Sequence, residues 1–141
     1  MAIEKLNPYL NFNGTADEAI KLYEKALGAK AGNIMRFGEM GGADVPPEHK
    51  NRVLHAPLQI GNGVVMVSDT RPGDPVSTTG SNVTVALHFD DPVDMARRFE
   101  ALAAGGKITM PLTDTFWGAK FGMLTDAFGI RWMFNCELKK A

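Results

Sequence analysis

Residues 10–30 read LNFNGTADEAIKLYEKALGAK, and residues 87–107 read LHFDDPVDMARRFEALAAGGK. Aligned from their first residues without a gap, the two stretches share seven identical residues, and Phe12 matches Phe89. Each stretch begins with alternating apolar residues typical of a strand, continues as an amphipathic helix and reaches a glycine where the helix would end. The sequence therefore predicts that one strand–helix unit occurs twice in this chain.

Both predicted helices carry start signals of their own. Thr15 and Glu18 have the spacing of a capping box, in which a hydroxyl and a carboxylate bond the free backbone N–H groups at a helix start. Asp91 before Pro92 fits an N-cap followed by proline at the first helical position. The apolar spacing predicts one buried stripe per helix: Ala16, Ala19, Ile20, Tyr23 and Leu27 in the first, and Val93, Ala96, Phe99 and Ala103 in the second.

Three strand-like segments follow each predicted helix. In the first half they lie at about 31–37, 52–60 and 63–69, and in the second at about 107–111, 117–125 and 129–136. Glycine-containing turns join the last two strands of each half, as in β-hairpins. The predicted fold class is therefore α+β, built from two βαβββ repeats.

The repeats define the expected domain organisation. They cover about 5–70 and 82–138, and we expect them to form a single domain over 1–141. The segment between them, about 70–81, is rich in proline, glycine, serine and threonine and is predicted to be a linker.

Composition excludes several classes of partner. Fifteen basic and 16 acidic residues leave a net charge of −1, with no run of like charges, so neither a nucleic-acid nor a membrane surface is predicted. No apolar run has the length of about 20 residues that a membrane span requires. Cys136 is the only cysteine, which precludes an intrachain disulfide and favours a reducing, cytoplasmic location.

Short motifs in both halves carry a resemblance to a known family: PYLNFNG at 8–14, HAPLQIG at 55–61 and DAFGIRW at 126–132. Together with the duplicated βαβββ pattern, they resemble the vicinal oxygen chelate (glyoxalase/bleomycin resistance/dioxygenase) superfamily, and more narrowly its PhnB-like branch. The resemblance implies a U-shaped mixed sheet around a small-molecule cavity, with the helices on the outer face.

The resemblance also implies metal ligands on the first and last strands of each half. Strand alternation and the repeat place the family's ligand positions on Asn7, Val67, Thr84 and Met133. A divalent transition metal prefers imidazole, carboxylate or thiolate donors, and none of these side chains supplies one. We therefore expect no metal of the family type and no other cofactor. The alternative is a relocated metal site that uses His55, His88 and Asp69.

The same alternation assigns other side chains to the predicted cavity. Arg131 suits a ligand carboxylate or phosphonate, although Asp69 or Asp126 is an alternative internal partner. Asp69 also fits a turn cap, and His55 also fits a hydrogen bond within the sheet. The full ligand-binding set predicted is Asn7, Tyr9, Asn11, His55, Asp69, His88, Trp117, Phe121 and Arg131.

Two classes of function follow from these expectations. The leading hypothesis is a metal-independent small-molecule binding or resistance-type sequestering protein that forms a homodimer, because dimerisation covers exposed sheet edges. The competing hypothesis is an enzyme, namely a lyase, isomerase or dioxygenase with a relocated metal, or a metal-free catalyst with His55 as acid and base. A purely structural interaction module is a third hypothesis.

Overall fold

The computed structural model describes residues 6–40, 46–70 and 83–138. The chain divides into two compact units, Met1–Val76 and Ser77–Ala141. The boundary falls within the predicted linker 70–81. All residues of this linker except the first lie outside the described residues, and so do residues 5 and 82, where the repeats were expected to begin. No helix in the described ranges has the length and apolar character needed to cross a membrane.

Unit 1 is a mixed sheet with one long helix. Its elements are β1 (Tyr9–Phe12), α1 (Ala16–Leu27), β2 (Lys30–Ala31), β3 (Met35–Arg36), β4 (Val53–Ile60) and β5 (Gly63–Asp69). The strand order is β1-β5-β4-β2, and β3 also pairs with β4. β1 runs parallel to β5, whereas the pairs that involve β4 are antiparallel.

Unit 2 repeats this plan. Its elements are β6 (Val85–Phe89), α2 (Pro92–Ala103), β7 (Lys107–Asp114), β8 (Ala119–Thr125) and β9 (Arg131–Glu137). The order is β6-β9-β8-β7, with β6 parallel to β9 and the other pairs antiparallel. The matching strand orders confirm the predicted α+β fold of two βαβββ repeats.

One predicted strand is interrupted. The segment expected at 31–37 forms two short strands, β2 and β3, on either side of residues 32–34. Gly32 donates its N–H to the Pro57 carbonyl at 2.9 Å. Proline has no N–H with which to return a bond, so the ladder between β2 and β4 stops there.

The predicted buried stripe is confirmed for α1 and is largely wrong for α2. All five residues named for α1 are buried, and the helix ends at Gly28 in the left-handed region with φ 67°. In α2 the buried residues are Met95, Phe99 and Leu102, whereas Val93 is 78% exposed. Spacings of four and three residues keep the observed set on one side of the helix, and only Phe99 belongs to both stripes.

The start of α1 differs from the capping box that the sequence predicts. Thr15 makes no side-chain capping bond. The carboxylate of Asp69, from the end of β5, accepts the N–H of Ala16 at 3.0 Å and that of Val53 at 2.9 Å. A buried side chain from a distant strand therefore caps the helix and also joins it to β4.

The core of unit 2 is aromatic. The ring of Phe134 meets Phe99 edge-on at 5.0 Å between centroids and stacks on Phe89 at 5.3 Å. The indole N–H of buried Trp132 donates to Asp126 at 2.8 Å. These contacts fix α2 and β6 against β9.

Candidate functional site

Each sheet has one face packed against the helix of its own unit and a second face with half-buried or exposed side chains. We call the second one the helix-free face. In β5 the buried residues are Val65, Val67 and Asp69, and the half-buried residues alternate with them. Because alternate residues point to opposite faces, Met66 and Ser68 lie on the helix-free face of unit 1.

A tyrosine and a histidine lie together on the helix-free face of unit 1. The rings of Tyr9 and His55 have centroids 6.0 Å apart. Tyr9 is 54% exposed, and His55 is half-buried on β4, opposite Met35. Ala56 and Leu58 of β4 are buried on the helix side, so His55 lies on the opposite, helix-free face.

Two asparagines of unit 1 also belong to the predicted ligand-binding set. The side-chain amide of Asn7 donates to the Val64 carbonyl at 2.7 Å and so ties the segment before β1 to β5. Asn11 is exposed in β1 opposite Ser68. Asn7 thus has a structural role in the sheet, while Asn11 leaves a carboxamide in contact with solvent.

The predicted orientation of β5 is wrong by one residue. Asp69 and Val67 were expected on the cavity side, yet both are buried on the helix side. Tyr9 pairs with Met66 just as Ala86 pairs with Met133. Met66 is therefore the repeat counterpart of Met133, and it takes the position that the sequence analysis gave to Val67.

Unit 2 presents three cross-strand rows on its helix-free face. The registers of β7, β8 and β9 place directly opposite residues side by side. The rows are Lys107–Thr125–Arg131, Met110–Met123–Met133 and Thr113–Phe121–Asn135. His88 of β6 extends the third row beside Asn135 and is exposed.

Aromatic side chains border the third row. Trp117, in the turn between β7 and β8, lies 6.3 Å from the Phe121 ring between centroids. Trp117 is 58% exposed, and Phe116 beside it is 98% exposed. Phe116 therefore packs against no core of its own unit, whereas Trp117 adds an indole to the end of the helix-free face.

The two acidic residues suggested as internal partners of Arg131 accept hydrogen bonds within their own units. Asp69 is bonded to backbone N–H groups within unit 1. Asp126 accepts the N–H groups of Phe128 and Ile130 at 2.8 and 3.1 Å, in addition to the Trp132 indole. Both carboxylates therefore stabilise their own unit, and Arg131 is exposed at the start of β9.

The corrected metal positions do not fit the family's metal. They hold Asn7, Met66, Thr84 and Met133, which offer neutral oxygens and thioethers to a cation that prefers imidazole, carboxylate or thiolate. Within the described ranges, no three His, Cys, Asp or Glu side chains are grouped so that they could hold a metal ion. The alternative prediction, a relocated metal site that uses His55, His88 and Asp69, is wrong for Asp69. This residue lies on the opposite face of its sheet from His55.

Cys136 lies on the buried face of β9 and is 1% exposed. Burial raises the pKa of its thiol, and nearby Asp90 adds to the effect.

Because the thiolate is the reactive form, we expect Cys136 of the native protein at pH 8 to react with a disulfide reagent on the order of 100-fold more slowly than in the chain unfolded in guanidinium. Equal rates in a spectrophotometric thiol assay would contradict the burial of this residue.

The fold and the placement of these residues can be compared with known proteins. The model of the Glyoxalase/Bleomycin resistance protein/Dioxygenase superfamily matches residues 5–134. The chain belongs to this superfamily. Protein YjdN of Escherichia coli is 35% identical, and the match covers 92% of this chain and 93% of YjdN.

Two solved structures have a similar fold. PA1353 from Pseudomonas aeruginosa has a TM-score of 0.83 and 38% identity, and the match covers 97% of this chain and 100% of that one. A PhnB protein from Bacillus cereus has a TM-score of 0.76 and 23% identity, with 94% and 99% of the two chains covered. At that identity the second likeness shows the fold alone. The expected glyoxalase/bleomycin resistance/dioxygenase superfamily is confirmed by the family model.

Sequence reasoning missed several residues of the helix-free faces. Lys107 and Met110 of β7 and Met66 of β5 received no role, although they lie beside residues that did. Strand alternation applied to 107–114 would have found Lys107. The register irregularities around Met110 break that alternation, so no simple period indicates the position of Met110.

Proposed function

We propose that this glyoxalase-superfamily chain binds an organic small molecule on the helix-free face of a unit, without a metal of the family type. One observation carries the proposal: the family's ligand positions hold an amide, a hydroxyl and two thioethers, while the neighbouring side chains are aromatic, apolar and hydrogen-bonding. Such a mixture suits an organic ligand.

The chemistry of the faces supports binding more directly than it supports metal-dependent catalysis. Lewis-acid activation of an oxygen substrate needs an ion held by anionic or imidazole donors. The carboxylates of Asp69 and Asp126, both 3% exposed, already accept backbone or indole N–H groups. What the faces offer a ligand is the Tyr9–His55 pair in unit 1 and the Trp117–Phe121 pair in unit 2.

A thermal-shift screen with aromatic, phosphonate and bleomycin-like compounds tests the proposal. A ligand at 100 times its dissociation constant adds about 2.7 kcal/mol of stability, which raises Tm by roughly 8 °C in a chain of this size. We expect Trp117→Ala to reduce the shift, because it removes the exposed indole beside Phe121. Val93→Ala is the control, because Val93 is 78% exposed on α2, away from the helix-free face, and it should leave the shift unchanged. The absence of any shift across the screen, with turnover of one of the compounds, would overturn the binding function.

An acid–base enzyme is the second candidate, and the Tyr9–His55 pair favours it. An imidazole whose ring lies 6.0 Å from a phenol ring can serve as a general acid or base towards a bound substrate. His55→Gln separates the candidates by turnover: an enzyme loses turnover of its substrate in this variant, whereas a binding protein shows no turnover with either chain and at most a reduced ligand shift. The homodimer and the cytoplasmic location remain predictions.

A further inference from the structure

We propose that the helix-free face of unit 2 selects a flat aromatic anion, with the ring over the methionine row and the negative group at Lys107 and Arg131. This inference rests on the proposed function and adds the ligand class and its orientation. It assigns Lys107 and the methionines a role in binding.

The first step is the order of the three rows along the strands. In β9, Arg131, Met133 and Asn135 follow each other at every second position. A strand rises about 3.3 Å per residue, so the first and third rows are about 13 Å apart. A bicyclic ring with a short acidic side chain spans a comparable length, which allows one ligand to contact all three rows.

The second step is charge. Lys107 and Arg131 lie at the two ends of the first row, with Thr125 between them. Glu137 lies at the other end of β9, on the same face as Arg131. A carboxylate or phosphonate is attracted to the cationic end and repelled from the acidic end, so the face can hold an anionic ligand in one direction only.

The third step is the middle of the face. Met110, Met123 and Met133 are cross-strand neighbours, and Met123 and Met133 are half-buried. Thioethers are polarizable, conform to irregular shapes and make favourable contacts with aromatic rings. Phe121 and Trp117 continue this surface beyond the methionines. A planar ring gains contact over the whole width of the sheet, whereas a compact polar ligand would leave the thioethers against water.

The test is calorimetric titration of the full chain with two probes that differ in charge, naphthylbutyrate and naphthylbutanol. We expect the acid to bind about tenfold more tightly than the alcohol, because a charge-assisted bond to a cation is worth more than a neutral one. Arg131→Gln and Lys107→Gln should each weaken the acid by several-fold to about tenfold and leave the alcohol within twofold. Met123→Ala should weaken both probes to a similar degree.

Arg97→Gln is the matched control, because Arg97 is an exposed cation on α2, on the other side of the same sheet. It should alter neither affinity, and circular dichroism with Tm checks that each variant is folded. If the two probes bind with equal affinity and neither cation variant weakens the acid more than the alcohol, the ligand class is wrong and small-molecule binding stands. If neither probe binds and the compound screen also yields no ligand, the proposed function fails with it.

Discussion

Replacing Asp69 with alanine is expected to lower the free energy of unfolding by about 3–5 kcal/mol. The side chain is 3% exposed, and its two oxygens accept the N–H groups of Ala16 and Val53. Alanine supplies no acceptor, so two buried donors lose their partners, and each costs about 1–3 kcal/mol when unsatisfied. The loss also separates the start of α1 from β4.

Urea unfolding followed by circular dichroism measures this effect, with Thr15→Ala as its control. Thr15 makes no side-chain capping bond, so its replacement should change stability by no more than about 0.5 kcal/mol. The opposite result, a cost of about 1 kcal/mol or more at Thr15 and little at Asp69, would mean that the local capping box holds the helix.

Phe134→Ala is expected to cost about 3–5 kcal/mol, the usual range for a buried phenylalanine. Phe134 is fully buried between Phe99 of α2 and Phe89 of β6. Truncation leaves a cavity where helix and sheet meet, and it removes two aromatic contacts worth about 0.5–1.5 kcal/mol each beyond the area buried.

Phe116→Ala makes the same chemical change at a residue that is 98% exposed. It should change the free energy of unfolding by less than about 0.5 kcal/mol. Similar losses for the two variants would show that the surroundings of the two phenylalanines are not those described for unit 2.

Much of the fold could be predicted from the sequence because its signals are local. The apolar stripe of α1, the glycine that ends it and the turns before the last strands all operate within a few residues. The stripe of α2 was harder, because Val93 lies in the first helical turn and alanines at 96 and 103 give little contrast between its sides. Packing against the sheet of unit 2 selects Met95 and Leu102.

The site was less predictable because it depends on the phase of each strand. A misalignment of one residue in β5 exchanges the two faces of the sheet, and it placed Asp69 among the ligand-binding residues. The hydrogen bonds that reveal the orientation of Asp69 join it to Ala16 and Val53, which are distant from it in the sequence. In β9, the buried Trp132 and Phe134 alternate with Arg131, Met133 and Asn135, so its orientation follows from the sequence.

The most direct measurement has two steps. Elemental analysis gives the metal content of the purified protein, and a ligand from the compound screen is then titrated into the protein after chelation and again after metal is added back. The account predicts far less than one zinc, nickel, manganese or iron per chain and the same affinity before and after the metal is restored. Near-stoichiometric metal that survives purification, together with loss of binding after chelation and recovery on adding metal back, would contradict it.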